Sequence, residues 1–265
     1  MKIFLTFIAC SLYAFANTEH ANDTLLTGNS QQYHILMTQS DSQYATIQTE
    51  YSRIITLGSW CQTKGQINNY FSPNTPITQT KKGHADLFDW LFISDYSKLA
   101  DALHKNLEDF FEFEDFKWKI KPYASNINIK YHVHWNHLWS DHNAFEMPLS
   151  LGEIEEIFPQ IKLKIDYLRQ KFIDAKQYPT LYVVSHSESG PSKTDIEKLR
   201  NSITQIRDGK TDFSILFISK NPTFESFDNI YVRQSTPISC CWTQADSVRW
   251  KQILDEFKFS PTIWD

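Results

Sequence analysis

Residues 53–69 read RIITLGSWCQTKGQINN, and this stretch decides the fold that we predict. The β-branched run that starts at Ile54 is typical of a short buried strand. Gly58 and Ser59 interrupt the run, and Cys61 then opens a polar segment that is compatible with a helix. A thiol at such a turn is well placed for chemistry, because free backbone N–H groups and the helix dipole favour the nucleophilic thiolate. Free cysteine is also among the most buried residue types, so simple packing is the alternative.

The rest of the chain alternates between strand and helix patterns. Apolar runs predict strands at 180–185, 213–218 and 229–233, and an alternating, aromatic segment predicts another at 130–135. Helical spacing of apolar residues predicts helices at 95–111, 150–172, 194–207 and 244–257. Such alternation is typical of a three-layer α/β fold, Rossmann-like, with a mainly parallel sheet. The turn that carries Cys61 would then lie at the carboxyl end of the sheet, where such folds usually bind ligands.

The first sixteen residues predict a secretory signal peptide. Lys2 is followed by a short apolar run and by Ala14-Phe15-Ala16, which fits a small-x-small cleavage site. Residues 17–50 are polar and predict a flexible leader, and residues 51–265 predict a single α/β domain. No later segment reaches the roughly 20 apolar residues of a membrane span. We therefore expect a secreted or periplasmic protein with no stable membrane insertion after cleavage.

Composition and motifs exclude some functions. The chain of 265 residues has a net charge of −5 and no long basic run, so we predict no nucleic-acid partner. It has no Walker A loop and no GxGxxG, and we predict no cofactor. Export would leave Cys61, Cys240 and Cys241, and the sequence leaves open whether Cys61 forms a disulfide with one of the neighbouring pair.

Several motifs together resemble a bacterial family of uncharacterised proteins that is provisionally described as papain-like cysteine peptidases. The similar parts cover about residues 52–257 and read ITLGSWC (55–61), LFDWLF (87–92), LEDFF (107–111), KYHVHWNHLW (130–139), LYVVSH, FSILFIS and WTQADSVRWKQILDEF. The resemblance implies a thiol hydrolase, and it makes a papain-like α+β fold the alternative to the Rossmann-like fold. It also implies that the histidine after the aromatic strand has a role, and His137 matches that position best. Leu138 stands where the family often has an acidic residue, and Leu87 stands where it often has proline.

A cysteine hydrolase or acyl transferase needs a thiol, an imidazole base and a polar group that orients the imidazole. We predict Cys61 as the nucleophile, His137 as the base with His134 as the alternative, and Asp89 as the orienting group. A backbone N–H near the nucleophile would stabilise an oxyanion. A peptide or glycan-like substrate would contact the residues around these motifs, namely Gly58, Ser59, Trp60, Trp90 and Trp139.

Two other functions fit the same motifs. A glycan-processing or glycan-binding protein would use the LGSWC turn and the FDW segment as its cleft, with Cys61 as a structural residue. A zinc-dependent hydrolase would use His132, His134 and His137, since alternate residues of a strand share one face. The spacing resembles the HxHxDH motif of metallo-β-lactamase-like hydrolases, but Asn136 replaces the acidic residue. We therefore predict no metal.

Overall fold

The computed structural model describes residues 49–58, 60–73, 85–89, 91–118, 126–135, 150–186, 190–235 and 247–263, without the side chains of residues 60–62, 126 and 135. The predicted signal peptide, most of the leader, Cys240 and Cys241 lie outside these ranges. No helix within them is both long and apolar enough to cross a membrane.

The described residues form ten strands and five α-helices. The strands are β1 (Glu50–Tyr51), β2 (Arg53–Thr56), β3 (Phe92–Ile93), β4 (Phe116–Lys117), β5 (Asn126–Asn128), β6 (Val133–Trp135), β7 (Thr180–His186), β8 (Phe213–Ser219), β9 (Ile230–Gln234) and β10 (Lys258–Phe259). The helices are α1 (Trp60–Phe71), α2 (Tyr96–His104), α3 (Leu151–Asp174), α4 (Lys193–Ile206) and α5 (Ser247–Leu254).

The central sheet has the order β2-β7-β8-β9, and all its neighbouring strands are parallel. Its register pairs Arg53 with Thr180 at the amino end of β2 and Thr56 with Val183 at the carboxyl end. The apolar runs that predicted these strands are nearly continuous, as expected of a parallel sheet buried on both faces. The α/β class and its parallel sheet are therefore confirmed.

Helices cover both faces of this sheet. Leu181 and Val183 belong to an apolar cluster that includes Ile67 of α1 and Trp250 of α5. The intervening Tyr182 and Val184 belong to a second cluster with residues of α2, α3 and α4. Alternate residues of a strand point to opposite faces, so the sheet is the middle of three layers.

A second four-stranded sheet has the order β3-β6-β5-β4 and is antiparallel, which the sequence patterns did not predict. Its strands are only two or three residues long. Of the predicted strand at 130–135, only Val133–Trp135 is a strand, because His132 lies in a turn with φ 55°. The premise that His132 and His134 share one strand face was therefore wrong.

The predicted helices are present with revised ends. Ser150 caps α3, whose start was predicted at this residue, and forms a capping box with Glu153. Asp95 caps α2, but this helix ends at His104 rather than continuing to residue 111, since Asn106 and Leu107 have φ values of 52° and 58°. The later apolar residues Leu107, Phe110 and Phe111 are buried as well, but they lie in successive turns and not in a helix.

The first and last strands of the described residues pair with each other. Glu50 lies beside Lys258 and Tyr51 beside Phe259 in a parallel two-stranded sheet. The amide of Ser260 also donates to the Tyr51 carbonyl at 2.9 Å. Glu50, which the sequence places at the end of the leader, therefore lies in a strand.

Candidate active site

The turn after β2 requires glycine. Gly58 has φ +78°, a conformation that L side chains rarely adopt. A Cβ atom at this position would lie 2.7 Å from Cδ1 and Cγ1 of Ile93 in β3. The Tyr96 hydroxyl donates to the Leu57 carbonyl at 3.3 Å just before the turn. The turn is therefore packed against β3 and the start of α2, and Gly58 has a structural role there.

Cys61 is the second residue of α1, which begins two residues beyond Gly58. The first four N–H groups of a helix lack partners within the helix, and the helix dipole places partial positive charge there. The predicted placement of Cys61 at the start of a helix is thus confirmed for its backbone. The Cys61 and Trp60 side chains and all of Ser59 lie outside the described residues, so their chemical roles stay predictions.

A buried ion pair joins α1 to the FDW motif. Lys64 Nζ lies 2.9 Å from Asp89 Oδ2, and both side chains are 3% exposed. The Thr56 hydroxyl donates to Asp89 Oδ1 at 2.7 Å, and the Asp86 amide donates to Oδ2 at 2.9 Å. Asp89 therefore connects the end of β2, the helix of Cys61 and its own turn. These contacts favour a positioning role, and its predicted role as the partner of an imidazole stays untested.

Burial raises the pKa of Asp89 above its usual range, although Lys64 opposes the shift. Asp86 adds to the upward shift through its own negative charge. A buried charge is tolerated when it is paired and hydrogen-bonded, and Asp89 meets both conditions. Removal of Lys64 would leave the carboxylate without its main compensation.

Asp86 extends the network toward the amino end of β2. Its Oδ2 lies 3.8 Å from Lys64 Nζ, and its Oδ1 lies 3.3 Å from Lys171 Nζ and 3.6 Å from Arg53 Nη2. Lys171 also donates to the Ala85 carbonyl. Three cations therefore surround the two carboxylates Asp86 and Asp89, and the segment that contains them is attached to β2, α1 and α3.

His134 lies beside the FDW motif as the sequence led us to expect. It pairs in register with Phe92, the last residue of LFDWLF, and the two rings meet edge to face with centroids 5.1 Å apart. The neighbouring pair joins Ile93, which contacts Gly58, to Val133. The LGSWC turn, the FDW segment and the histidine strand are therefore neighbours.

The remaining predicted site residues lie outside the described part of the chain. They are His137, Trp90 and Trp139. Within the described residues, no group of three or more His, Cys, Asp or Glu side chains is arranged to hold a metal ion. The zinc alternative also depends on His137, so it stays an alternative to the prediction that no metal is bound.

Sequence reasoning missed Lys64 and Thr63 of α1. Residues 63–68 of this helix are all buried despite their polar composition. The Thr63 hydroxyl lies 2.6 Å from that of Ser185 near the carboxyl end of β7. The pair Asp86 and Asp89 was the available signal, because two acids flanking the apolar Leu87 and Phe88 require a buried cation if the whole segment is buried.

Comparison with protein-family models, curated proteins and solved structures found no match to this chain. The resemblance to papain-like cysteine peptidases therefore rests on the sequence motifs alone.

Proposed function

We propose that this chain is an exported cysteine-dependent hydrolase or acyl transferase that acts on a peptide or glycan-like substrate. Cys61 attacks an acyl carbon, a histidine takes the thiol proton and later gives it to the leaving group, and water or an acceptor releases the acyl group from sulfur. The placement of Cys61 in the first turn of α1, after a glycine turn at the carboxyl end of a parallel strand, carries the proposal.

The surroundings of α1 support a precisely held nucleophile. Lys64 is one helical turn beyond Cys61, and its ion pair with Asp89 fixes the helix relative to β2 and the FDW segment. Fixed geometry matters because a misplacement of about 1 Å can cost roughly a hundredfold in rate. Asp89 thus acts through Lys64 as a positioning residue in this proposal.

The histidine base comes from the strand beside the FDW segment. His137 is the base implied by the family resemblance, and His134 is the alternative. The register of His134 with Phe92 and the contact of Ile93 with the Gly58 turn support a base from this part of the chain.

We further propose that the scaffold is Rossmann-like. Helices on both faces of the parallel sheet support this assignment. The described strands of the parallel sheet lie side by side in chain order, which differs from the reversed strand order of the doubly wound folds. The antiparallel sheet next to the turn is the feature shared with the papain-like α+β alternative.

Thiol alkylation kinetics test the proposal. Iodoacetamide should label Cys61 in the native chain at least about tenfold faster than in the urea-unfolded chain at pH 7, because the helix start favours the thiolate. Peptide mass spectrometry assigns the site, and Cys61→Ser should abolish the fast phase. Cys240→Ser, which retains Cys61, should leave it unchanged.

Histidine variants then identify the base. His137→Ala should slow the fast phase at pH 7, whereas His134→Ala should do so only if His134 is the base. Native labelling of Cys61 no faster than that of the unfolded chain would rule out an activated thiol and with it the proposal.

A further inference from the structure

A separate pocket of about 250 Å³ opens at the amino end of the parallel sheet. Arg53 lines it from the first residue of β2, and Tyr178 lines it from the turn before β7. The other wall is one face of α3, where Tyr167, Gln170 and Asp174 recur at helical spacing with Lys171. The Gly58 turn follows five residues after Arg53, about 16 Å away at roughly 3.3 Å per strand residue.

The Arg53 guanidinium has hydrogen-bonding capacity to spare. Its side chain is 31% exposed, and within the described residues its charged group has one partner, the Asp86 carboxylate at 3.6 Å. That distance is too long for a hydrogen bond, so the planar N–H groups remain available to a ligand. A guanidinium binds a carboxylate best through two parallel hydrogen bonds.

The α3 wall offers further polar groups. Gln170 Nε2 donates to Asp174 Oδ1 at 2.9 Å, which holds the two side chains together. In the described part of the chain, Asp174 Oδ2 accepts no hydrogen bond, so it can accept one from a hydroxyl group. The same pocket thus contains a cation for a carboxylate and an acceptor for hydroxyls.

Two tyrosine side chains flank these polar groups and are exposed. Tyr167 is 68% exposed and Tyr178 is 48% exposed, so both rings have surface that a ligand in the pocket can contact. The C–H faces of a pyranose ring pack well on the faces of aromatic rings. The pocket is smaller than the roughly 300–1,000 Å³ sites of drug-sized ligands, so it suits a single ring.

We propose that this pocket binds an acidic sugar, with the carboxylate on Arg53, the hydroxyls on Gln170 and Asp174, and the ring against Tyr167 and Tyr178. Lys171 also lines the pocket, and its ammonium group is paired with Asp86 Oδ1 at 3.3 Å. The site does not depend on the cysteine chemistry proposed above, and it lies at the opposite end of β2 from the Gly58 turn.

Isothermal titration calorimetry of the full chain tests this site. D-Glucuronate and D-galacturonate are titrated at pH 7. D-Glucose, which has the ring and hydroxyls but no carboxylate, and acetate, which has only the carboxylate, are titrated for comparison. We expect saturable binding of at least one uronate, at least tenfold weaker binding of D-glucose, and no saturable binding of acetate. Absence of uronate binding, or acetate binding as tight as uronate binding, would overturn the proposal.

Variants locate the binding. Arg53→Lys should weaken uronate binding at least tenfold while leaving D-glucose binding little changed. Lysine keeps the positive charge but lacks the planar group that forms two parallel hydrogen bonds with a carboxylate. Tyr167→Ala should weaken uronate binding at least fivefold, and its exposed position leaves folding intact. Leu163→Ala, one turn away on α3 and 71% exposed, is the matched control and should have no effect. Equal affinities for Tyr167→Ala and Leu163→Ala would contradict the site.

Discussion

The two four-stranded sheets of this protein are stabilised by different interactions. The parallel strands β7 and β8 are buried almost throughout, and their side chains enter two apolar clusters. The antiparallel strands are short, and although Ile93, Phe116 and Val133 also enter an apolar cluster, polar contacts connect this sheet to the surrounding turns. Asn128 donates to the Phe110 carbonyl at 3.1 Å and accepts from the Tyr131 amide at 2.8 Å, and the Tyr131 hydroxyl bonds to Asp109.

The two kinds of interaction place different demands on the neighbouring residues. An apolar strand needs only burial, and many neighbours can provide it. A buried amide or carboxylate needs a particular partner at a particular distance, since an unsatisfied group costs roughly 1–3 kcal/mol. Between the two sheets lies the ion pair of Lys64 and Asp89, which connects the parallel sheet to the segment that leads into β3.

The largest effect is expected at this junction. Lys64→Met should lower the free energy of unfolding by about 4 kcal/mol, because it leaves the buried Asp89 carboxylate without its cation. Burial already raises the pKa of Asp89, so the folded state of the variant favours its protonated form. The loss should therefore be small below about pH 4 and grow as the pH rises to 7.

Urea unfolding followed by circular dichroism measures this loss. Lys251→Met is the matched control, because its ion pair with Asp255 is exposed and worth at most about 1 kcal/mol. Adding Asp89→Asn to Lys64→Met should recover part of the stability by removing one uncompensated charge. A single Lys64→Met variant as stable as the wild type would show that apolar packing alone holds the junction.

A smaller loss is expected in the parallel sheet. Leu216 is fully buried in β8, so Leu216→Ala should cost about 3 kcal/mol through lost burial and a residual cavity. Because no charge is involved, the loss should be the same at about pH 5 and 8 and at low and high salt. Urea unfolding measures it, and Val248→Ala, at a position 68% exposed, is the control. A loss that varied with pH or salt would break the proposed contrast between the sheets.

The smallest effect is expected in the antiparallel sheet. Partial burial acts to raise the pKa of Asp109, but hydrogen bonds from Lys130 and Tyr131 outweigh it and lower the value from 3.8 to about 2. A lowered pKa stabilises the fold above pH 3.8, and this contribution is lost as the pH falls toward 2. Because the side chain is 32% exposed, Asp109→Asn should cost about 1 kcal/mol at neutral pH.

Unfolding free energies of wild type and Asp109→Asn across pH 2–7 check the direction in which the stabilisation by Asp109 changes with pH. The two should converge near pH 2 and separate above about pH 4. Glu108→Gln is the neighbouring control, because Glu108 is exposed and has no ion pair among the described residues. A difference that stays constant with pH would mean that the Asp109 charge does not contribute.

Much of the parallel part of the fold could be predicted from the sequence. The strand at Thr180–His186 follows from a nearly continuous apolar run, and the start of α3 follows from Ser150 and Glu153, whose capping bonds are local. Each of these signals lies within a few residues of the element it specifies. Distant contacts do not change them.

Helix α2 shows where the patterns were insufficient. The apolar spacing continues through Leu107 and Phe110, but the helix ends at His104. Both residues are still buried, so the periodicity predicted burial correctly and the conformation incorrectly. Positive φ values at Asn106 and Leu107 are set by the packing of the turns, which a hydrophobic pattern does not encode.

The candidate site also combines features that a local pattern predicts with one that depends on a distant contact. Gly58 and Cys61 belong to one local turn, and their order of strand, glycine and helix was predictable. The pairing of Lys64 with Asp89 joins residues 25 positions apart whose types are usually exposed, so the acids at 86 and 89 indicated a buried cation but not which residue supplies it. The sequence identified the turn, but it did not identify the interaction that positions it.

The pairing of β1 with β10 has a mechanical consequence. The two strands are parallel, so a force that pulls the preceding and following chain apart acts along both strands in opposite directions. Their hydrogen bonds, with that from Ser260 to Tyr51, then share the load in shear instead of opening one at a time. The two-stranded sheet of β1 and β10 thus resists tension before the force reaches the larger sheets.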